Sequence, residues 1–153
     1  MKRKLLTFTF FVLLLNYTTA QVTAGQVDDF EDDTTQNWDD PSSTYVNIST
    51  DGPAGANDNY LRDYTSGNPG GGGSRMIIRN TDQWKGNYTT PGQEIIAIKL
   101  DVRSSDTDLT LRFSLTGPGG KFSSAVGIPV TSGAGWNSVV IPISAGDMVS
   151  VSD

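Results

Sequence analysis

Apolar residues along this chain fall in short runs with a period of two. The clearest run is Leu109, Leu111, Phe113 and Leu115, with Thr110, Arg112 and Ser114 between them. Alternation of this kind puts one face of a strand on a core and the other in water. A second run spans Glu94 to Arg103, where Ile96, Ile98, Leu100 and Val102 share a face opposite Lys99, Asp101 and Arg103. The Ser104-Ser105-Asp106 turn predicts that these two runs form a hairpin. Further strands are predicted over Gln26 to Glu31, Thr44 to Ser49, Tyr60 to Tyr64, Arg75 to Arg79, Lys121 to Ile128 and Trp136 to Ile143.

Strong turn signals separate them: Asp51-Gly52-Pro53, the tract Pro69 to Gly73, Gly117-Pro118-Gly119-Gly120 and Ser132-Gly133-Ala134-Gly135. No stretch carries a helical repeat with caps. The expected fold class is therefore all-β, an antiparallel two-sheet β-sandwich of jelly-roll type. The Pro69 to Gly73 tract does not read as a phosphate loop. Ser74-Arg75-Met76-Ile77-Ile78-Arg79 follows it as a strand, where such a loop needs a helix.

The first twenty residues break this pattern. Lys2, Arg3 and Lys4 precede an apolar run from Leu5 to Leu15, and Thr18-Thr19-Ala20 offers small side chains before Gln21. Residues 1–20 read as a signal peptide and 21–153 as one β-sandwich domain. As a helix, the apolar run would reach about 16 Å, roughly half the hydrocarbon thickness of a bilayer. No later apolar run approaches a spanning length. The expected location is secreted: extracellular, at the cell surface or periplasmic.

Removing residues 1–20 takes three of the eleven basic residues and no acid. That leaves eight basic against seventeen acidic residues, a net charge of −9. Nucleic acid is not an expected partner of such a chain. Cysteine and histidine are both absent. The first absence leaves the fold without disulfides. The second excludes every histidine-based triad, and the two together exclude imidazole and thiolate metal sites, so any metal must be a hard cation held by oxygen.

Several motifs then occur in a telling order: Asp29-Phe30-Glu31-Asp32, Thr34-Thr35-Gln36-Asn37-Trp38, and Asp51-Gly52-Pro53-Ala54-Gly55 leading to Asp58-Asn59-Tyr60-Leu61-Arg62. Together with Trp84-Lys85-Gly86-Asn87-Tyr88 and the Trp136 to Ile143 run, this order resembles galactose-binding-like jelly rolls. More narrowly, it is similar to the carbohydrate-binding-module-like domains of bacterial exported proteins, which often open on D-F-E-x-G-x-x-x-x-W. Asp33 and Asn37 stand where that pattern has glycine, and both residue types tolerate left-handed backbone.

The resemblance implies a non-catalytic carbohydrate-binding module with polysaccharide or glycan as partner and a structural calcium as possible cofactor. In such domains the calcium is held by the first-strand glutamate, a loop oxygen and a late aspartate. On this chain that implies Glu31 as metal ligand, with Asp29 beside it. Such domains also close with a further strand, so the resemblance places the last strand beyond residue 153.

Sugar binding needs an exposed ring to stack on the C–H face of a pyranose, with planar polar groups beside it for hydroxyls. Trp84, Tyr88 and Asn87 in one polar loop meet that need, as do Trp38 and Arg62. Each has a structural alternative. Trp84 and Trp38 as core caps, the preferred role for Trp38, and Arg62 or Arg75 paired with Asp63 or Asp101 fit equally simple packing. Trp136 is expected to cover the core edge.

Five acids in the six positions 28–33 repel one another unless a cation or solvent relieves them. Two acids adjacent on one strand do not make a glycosidase pair, which must span a cleft. A small glycosidase or lyase using Asp, Glu and Tyr is the weaker reading. A structural or adhesive surface module that binds protein partners, with both tryptophans buried, is the stronger alternative.

Overall fold

The computed structural model describes residues 22–39, 44–64 and 76–151. Residues 1–20, read above as a signal peptide, the glycine tract 69–73 and Arg75 lie outside them. Eleven strands are present in the described residues: β1 (Trp38–Asp39), β2 (Thr44–Ile48), β3 (Tyr60–Tyr64), β4 (Arg79–Asn80), β5 (Ala97–Val102), β6 (Leu109–Leu111), β7 (Ser114–Gly117), β8 (Gly120–Ser124), β9 (Ile128–Val130), β10 (Asn137–Pro142) and β11 (Met148–Ser150). A single 3-10 turn at Ala145–Asp147 is the one helical element among them. The chain is all-β, and every strand pairing is antiparallel.

Two pairings are local hairpins. β2 and β3 run in register from Ile48↔Tyr60 to Thr44↔Tyr64, and β7 and β8 meet at Gly117↔Gly120. The β2–β3 connection folds back on itself, with Gly52 N–H donating to the Asp58 carbonyl at 2.9 Å. A side chain at Gly52 would place Cβ 2.6 Å from that same carbonyl oxygen, so only glycine fits the crossing.

The remaining pairings join distant segments. β5 lies against β10 over six residue pairs, from Val102↔Asn137 to Ala97↔Pro142. β6 lies against β9, β11 against β8, and β1 against β4. The expected hairpin between the runs at 94–103 and 109–115 is therefore not formed. The Ser104-Ser105-Asp106 turn separates two strands that pair elsewhere.

The run Leu109 to Leu115 is also not one strand. Its partner changes from β9 to β8 across Arg112-Phe113, where the Ser124 N–H donates to the Phe113 carbonyl at 2.8 Å. The Arg112 guanidinium covers the break by donating to the carbonyls of Ser124 (2.5 Å) and Ala125 (2.9 Å). The predicted strand from Lys121 to Ile128 divides at the same place, into β8 and β9. Gln26 to Glu31 forms no strand, and Phe30 takes a left-handed φ of 61°. Of the Arg75 to Arg79 run, the described part pairs only at Arg79.

The alternation was right about most of the residues that turn inward but not about Ile96, which lies just before β5 and is 65% exposed. Val22, Val130, Ile141 and Ile143 are the buried apolar residues, and Ile98, Leu100, Val102, Leu109, Leu111, Phe113 and Leu115 are all half-buried. Full burial of an aliphatic side chain of this size is worth about 1.5–3 kcal/mol. The β5–β10 pair, which carries Ile141, is thus the spine of the fold. No described helix is long and apolar enough to cross a membrane.

Candidate functional site

Three side-chain assemblies stand out. The first joins residues 22–39 to the loop after β4. Trp38 and Trp84 lie with ring centroids 6.2 Å apart at 48°. Their Nε1–H groups donate to the same oxygen of Asp28, at 2.6 and 2.5 Å. Asn80, paired with Trp38 across β1 and β4, accepts from Asp82 N–H (3.0 Å) and donates to the Gln36 carbonyl (2.9 Å). Asn37 donates to Asp82 and Gln83 across the same gap, at 2.9 and 3.0 Å.

The Tyr88 hydroxyl donates to the Trp84 carbonyl at 2.8 Å, and its ring lies 6.3 Å from Phe113. Burial pushes its phenol up to about 12. Asn87 is exposed and closes a short turn onto the Thr89 N–H and hydroxyl, at 3.0 and 2.9 Å. Trp84 and Tyr88 lie together as expected for loop neighbours, and Trp38 joins Trp84 from a segment remote in the chain. Their polar atoms, however, are bound to protein partners, and all three rings are half-buried. An open hollow beside them, lined by Asp28, Asp32, Thr34, Gln36, Asn37 and Gln83, is polar and acidic rather than aromatic.

The second assembly is the acidic segment itself. Asn59, 8% exposed, donates from Nδ2 to the Phe30 carbonyl (3.0 Å), Asp33 Oδ1 (3.0 Å) and Asn47 Oδ1 (3.2 Å). Its backbone N–H donates to Glu31 Oε1 at 2.8 Å. Asn47 donates to the carbonyls of Phe30 (2.6 Å) and Thr34 (2.7 Å). Left-handed backbone at Phe30 and Asp33 turns these oxygens inward. Asp29 faces away and accepts from Glu31 N–H and Gln36 Nε2, both at 3.2 Å. Asp32 also faces solvent, where the Thr34 hydroxyl and N–H hold its carboxyl below the usual range.

No group of three or more carboxylates able to hold a metal occurs among the described residues. The oxygens of Phe30, Thr34, Glu31 and Asp33 nevertheless make an oxygen-only set, the donor chemistry a hard cation requires. In donor type the set fits calcium, with Asp33 rather than Asp29 as the second carboxylate.

The third assembly lies on β3 and was only partly legible in the sequence. Tyr60, Arg62 and Tyr64 alternate onto one face, opposite Ile48, Val46 and Thr44 of β2. Arg103, just after β5, places its guanidinium 4.7 Å from the Tyr60 ring centroid and 4.7 Å from that of Trp136. These two rings meet edge to face at 5.1 Å and 79°. Arg103 also donates to the Tyr60 hydroxyl at 2.7 Å, and Trp136 Nε1–H donates to the Asp51 carbonyl at 2.9 Å.

Further along β3, the Arg62 guanidinium lies 5.0 Å from the Tyr64 ring centroid. Tyr64 is 41% exposed and Val46 39%. The only described ion pair is Arg79 with Asp39, at 2.7 Å, so neither Arg62 nor Arg103 pairs with a described carboxylate. The strand alternation of Tyr60 and Tyr64 was the available signal for this face. Arg103 and Trp136 arrive from remote segments and gave none.

This geometry defines an all-β chain of antiparallel sheets with a ring-and-arginine surface on one strand. The chain matches no family model, no curated protein and no solved structure. Its reading therefore rests on its own residues.

Proposed function

We propose that the chain is a non-catalytic glycan-binding module of an exported protein, its sheets arranged as a jelly-roll sandwich. The observation that carries this is the β3 face. An exposed Tyr64 ring with Arg62 over it adjoins the Tyr60–Arg103–Trp136 stack. Rings of this kind offer flat apolar surface to the C–H face of a pyranose, and guanidinium groups offer planar donors to its hydroxyls. The Trp38–Trp84 pair serves instead as a clasp, because both indole N–H groups are already held by Asp28.

The absence of histidine and cysteine from the chain supports a binding role over histidine- or cysteine-dependent catalysis. A structural calcium belongs to the same reading. Glu31, Asp33 and the carbonyls of Phe30 and Thr34 would hold it, and its charge would relieve the acid crowd that Asn47 and Asn59 otherwise satisfy.

Electrophoresis of the chain through gels containing single polysaccharides tests the proposal. Retardation by at least one glycan, reduced by Tyr64→Ala, is expected. No retardation by any of them in a correctly folded sample would sink it. The alternative, an adhesive module, draws on the exposed apolar side chains Ile96 (65%) and Val140 (49%) near the β5–β10 pair. In that case Ile96→Ser, rather than Tyr64→Ala, would abolish attachment to a protein partner.

A further inference from the structure

From the same face, and resting on the glycan-binding reading, we infer that the module selects an acidic polysaccharide, one whose pyranose units carry carboxylates. Neutral sugars need rings and uncharged donors. They do not need two guanidinium groups that form an ion pair with no described carboxylate.

Arg103 is held as a charged plate. Tyr60 and Trp136 flank its guanidinium, and of its five N–H donors one is committed, to the Tyr60 hydroxyl. One donor is committed among the described contacts, which leaves others for a carboxylate, the group a guanidinium grips with two parallel bonds. Because the ring contacts fix the plate beforehand, little side-chain entropy remains to be lost on binding.

Arg62 repeats the arrangement in open form beside Tyr64. The Cα distance from Tyr60 to Tyr64 along the strand is about 14 Å at a rise of about 3.4 Å per residue. That span presents ring, cation, ring and cation to successive units of one chain.

The overall acidity argues the other way, with a net charge of −6 over the whole sequence. It does not decide the matter. Charges farther away than about 8–10 Å are largely screened at physiological salt, so contact charges dominate. On the strand itself, Asp63 points to the face opposite Arg62 by the alternation of β3.

The decisive comparison uses one polymer in two charge states: polygalacturonate and the same polymer with its carboxyls reduced to hydroxymethyl groups. Affinity electrophoresis and calorimetry on the intact chain should give binding at least tenfold tighter to the acid form, weakening as salt rises. Arg62→Ala, at an exposed position, should remove most of that preference. Arg103→Ala should remove it as well, and Arg103→Lys should restore part of it. Dextran sulfate against dextran separates carboxylate recognition from general anion attraction. A preference for dextran sulfate equal to that for polygalacturonate would overturn the carboxylate assignment. Equal binding to the acid and reduced polymers would overturn the inference yet leave glycan binding standing. Loss of all glycan binding would remove both.

Discussion

Asp28 accepts hydrogen bonds from the indole nitrogens of both Trp38 and Trp84 through a single carboxylate oxygen, 2.6 and 2.5 Å away. Each is a charge-assisted bond, worth about 1.5–3 kcal/mol where it is sheltered. All three groups are half-buried, so the lower end of that range applies. Asp28→Ala should lower stability by about 2–4 kcal/mol and shift tryptophan emission to the red as both rings gain water. Asp28→Asn keeps an acceptor and should lose about half as much. Chemical denaturation followed by fluorescence measures both. An unchanged midpoint in Asp28→Ala would show that the clasp holds nothing.

Tyr88 couples the same clasp to pH. Its phenol titrates near 12 in the fold because burial disfavours the phenolate, against 10.0 for an unperturbed tyrosine. Above about pH 10 the unfolded chain loses this proton and the folded chain keeps it. The contribution is therefore fully present below pH 10 and is lost as pH climbs toward 12. Tyr88→Phe should flatten that alkaline decline, while losing the bond to the Trp84 carbonyl at all pH values. Denaturation midpoints between pH 8 and 11.5 decide it, and parallel curves for the two proteins would refute the assignment.

The parts of this fold that were legible in sequence are those set by local alternation. β2, β3 and β10 fall within one residue of the predicted runs, because period-two burial and flanking turns are properties of neighbouring residues. Pairing was not legible. Nothing in Ser104-Ser105-Asp106 announces that β5 prefers β10, since partner choice depends on which apolar faces meet across thirty residues or more. The break at Arg112 was hidden for a related reason. An arginine on the wet face looks like any surface residue until its carbonyl partners at Ser124 and Ala125 are known. Of the proposed binding face, Arg62 was legible as a candidate. The stack was not, because Tyr60, Arg103 and Trp136 lie far apart in the chain.

Gly127, which leads into β9, is required by contact rather than by backbone conformation. A Cβ there would sit 2.3 Å from Thr110 Cγ2 and 3.3 Å from Arg112 Nε. Gly127→Ala should therefore destabilise the β6–β9 pair, by about 1–3 kcal/mol for an overpacked site. Thr110→Ser deletes the offending methyl group and should recover most of the loss in the double variant. The coupling energy is read from a double-mutant cycle of unfolding free energies. Strict additivity would place the clash elsewhere.

Asn59 decides whether the acidic segment is held by amides alone or by a cation as well. Its N–H groups reach Phe30 O, Glu31 Oε1 and Asp33 Oδ1 from a site only 8% exposed. Asn59→Ala keeps the backbone bond to Glu31 but takes the side-chain donor from Asp33 Oδ1 and leaves Phe30 O with that of Asn47 alone, and should cost about 1–2 kcal/mol. Asn59→Asp is the sharper variant, because it replaces the side-chain donor with another acceptor among carboxylates that already repel one another. In chelator it should be less stable than Asn59→Ala. With calcium at about 1 mM, a typical affinity range for extracellular sites, it should regain stability, and the native chain should also melt higher in proportion to the logarithm of the calcium concentration. Calorimetric melting with and without chelator measures all three proteins. If none of them responds to calcium, no cation is bound, and the amides of Asn47 and Asn59 are the whole answer to the crowding of the acids.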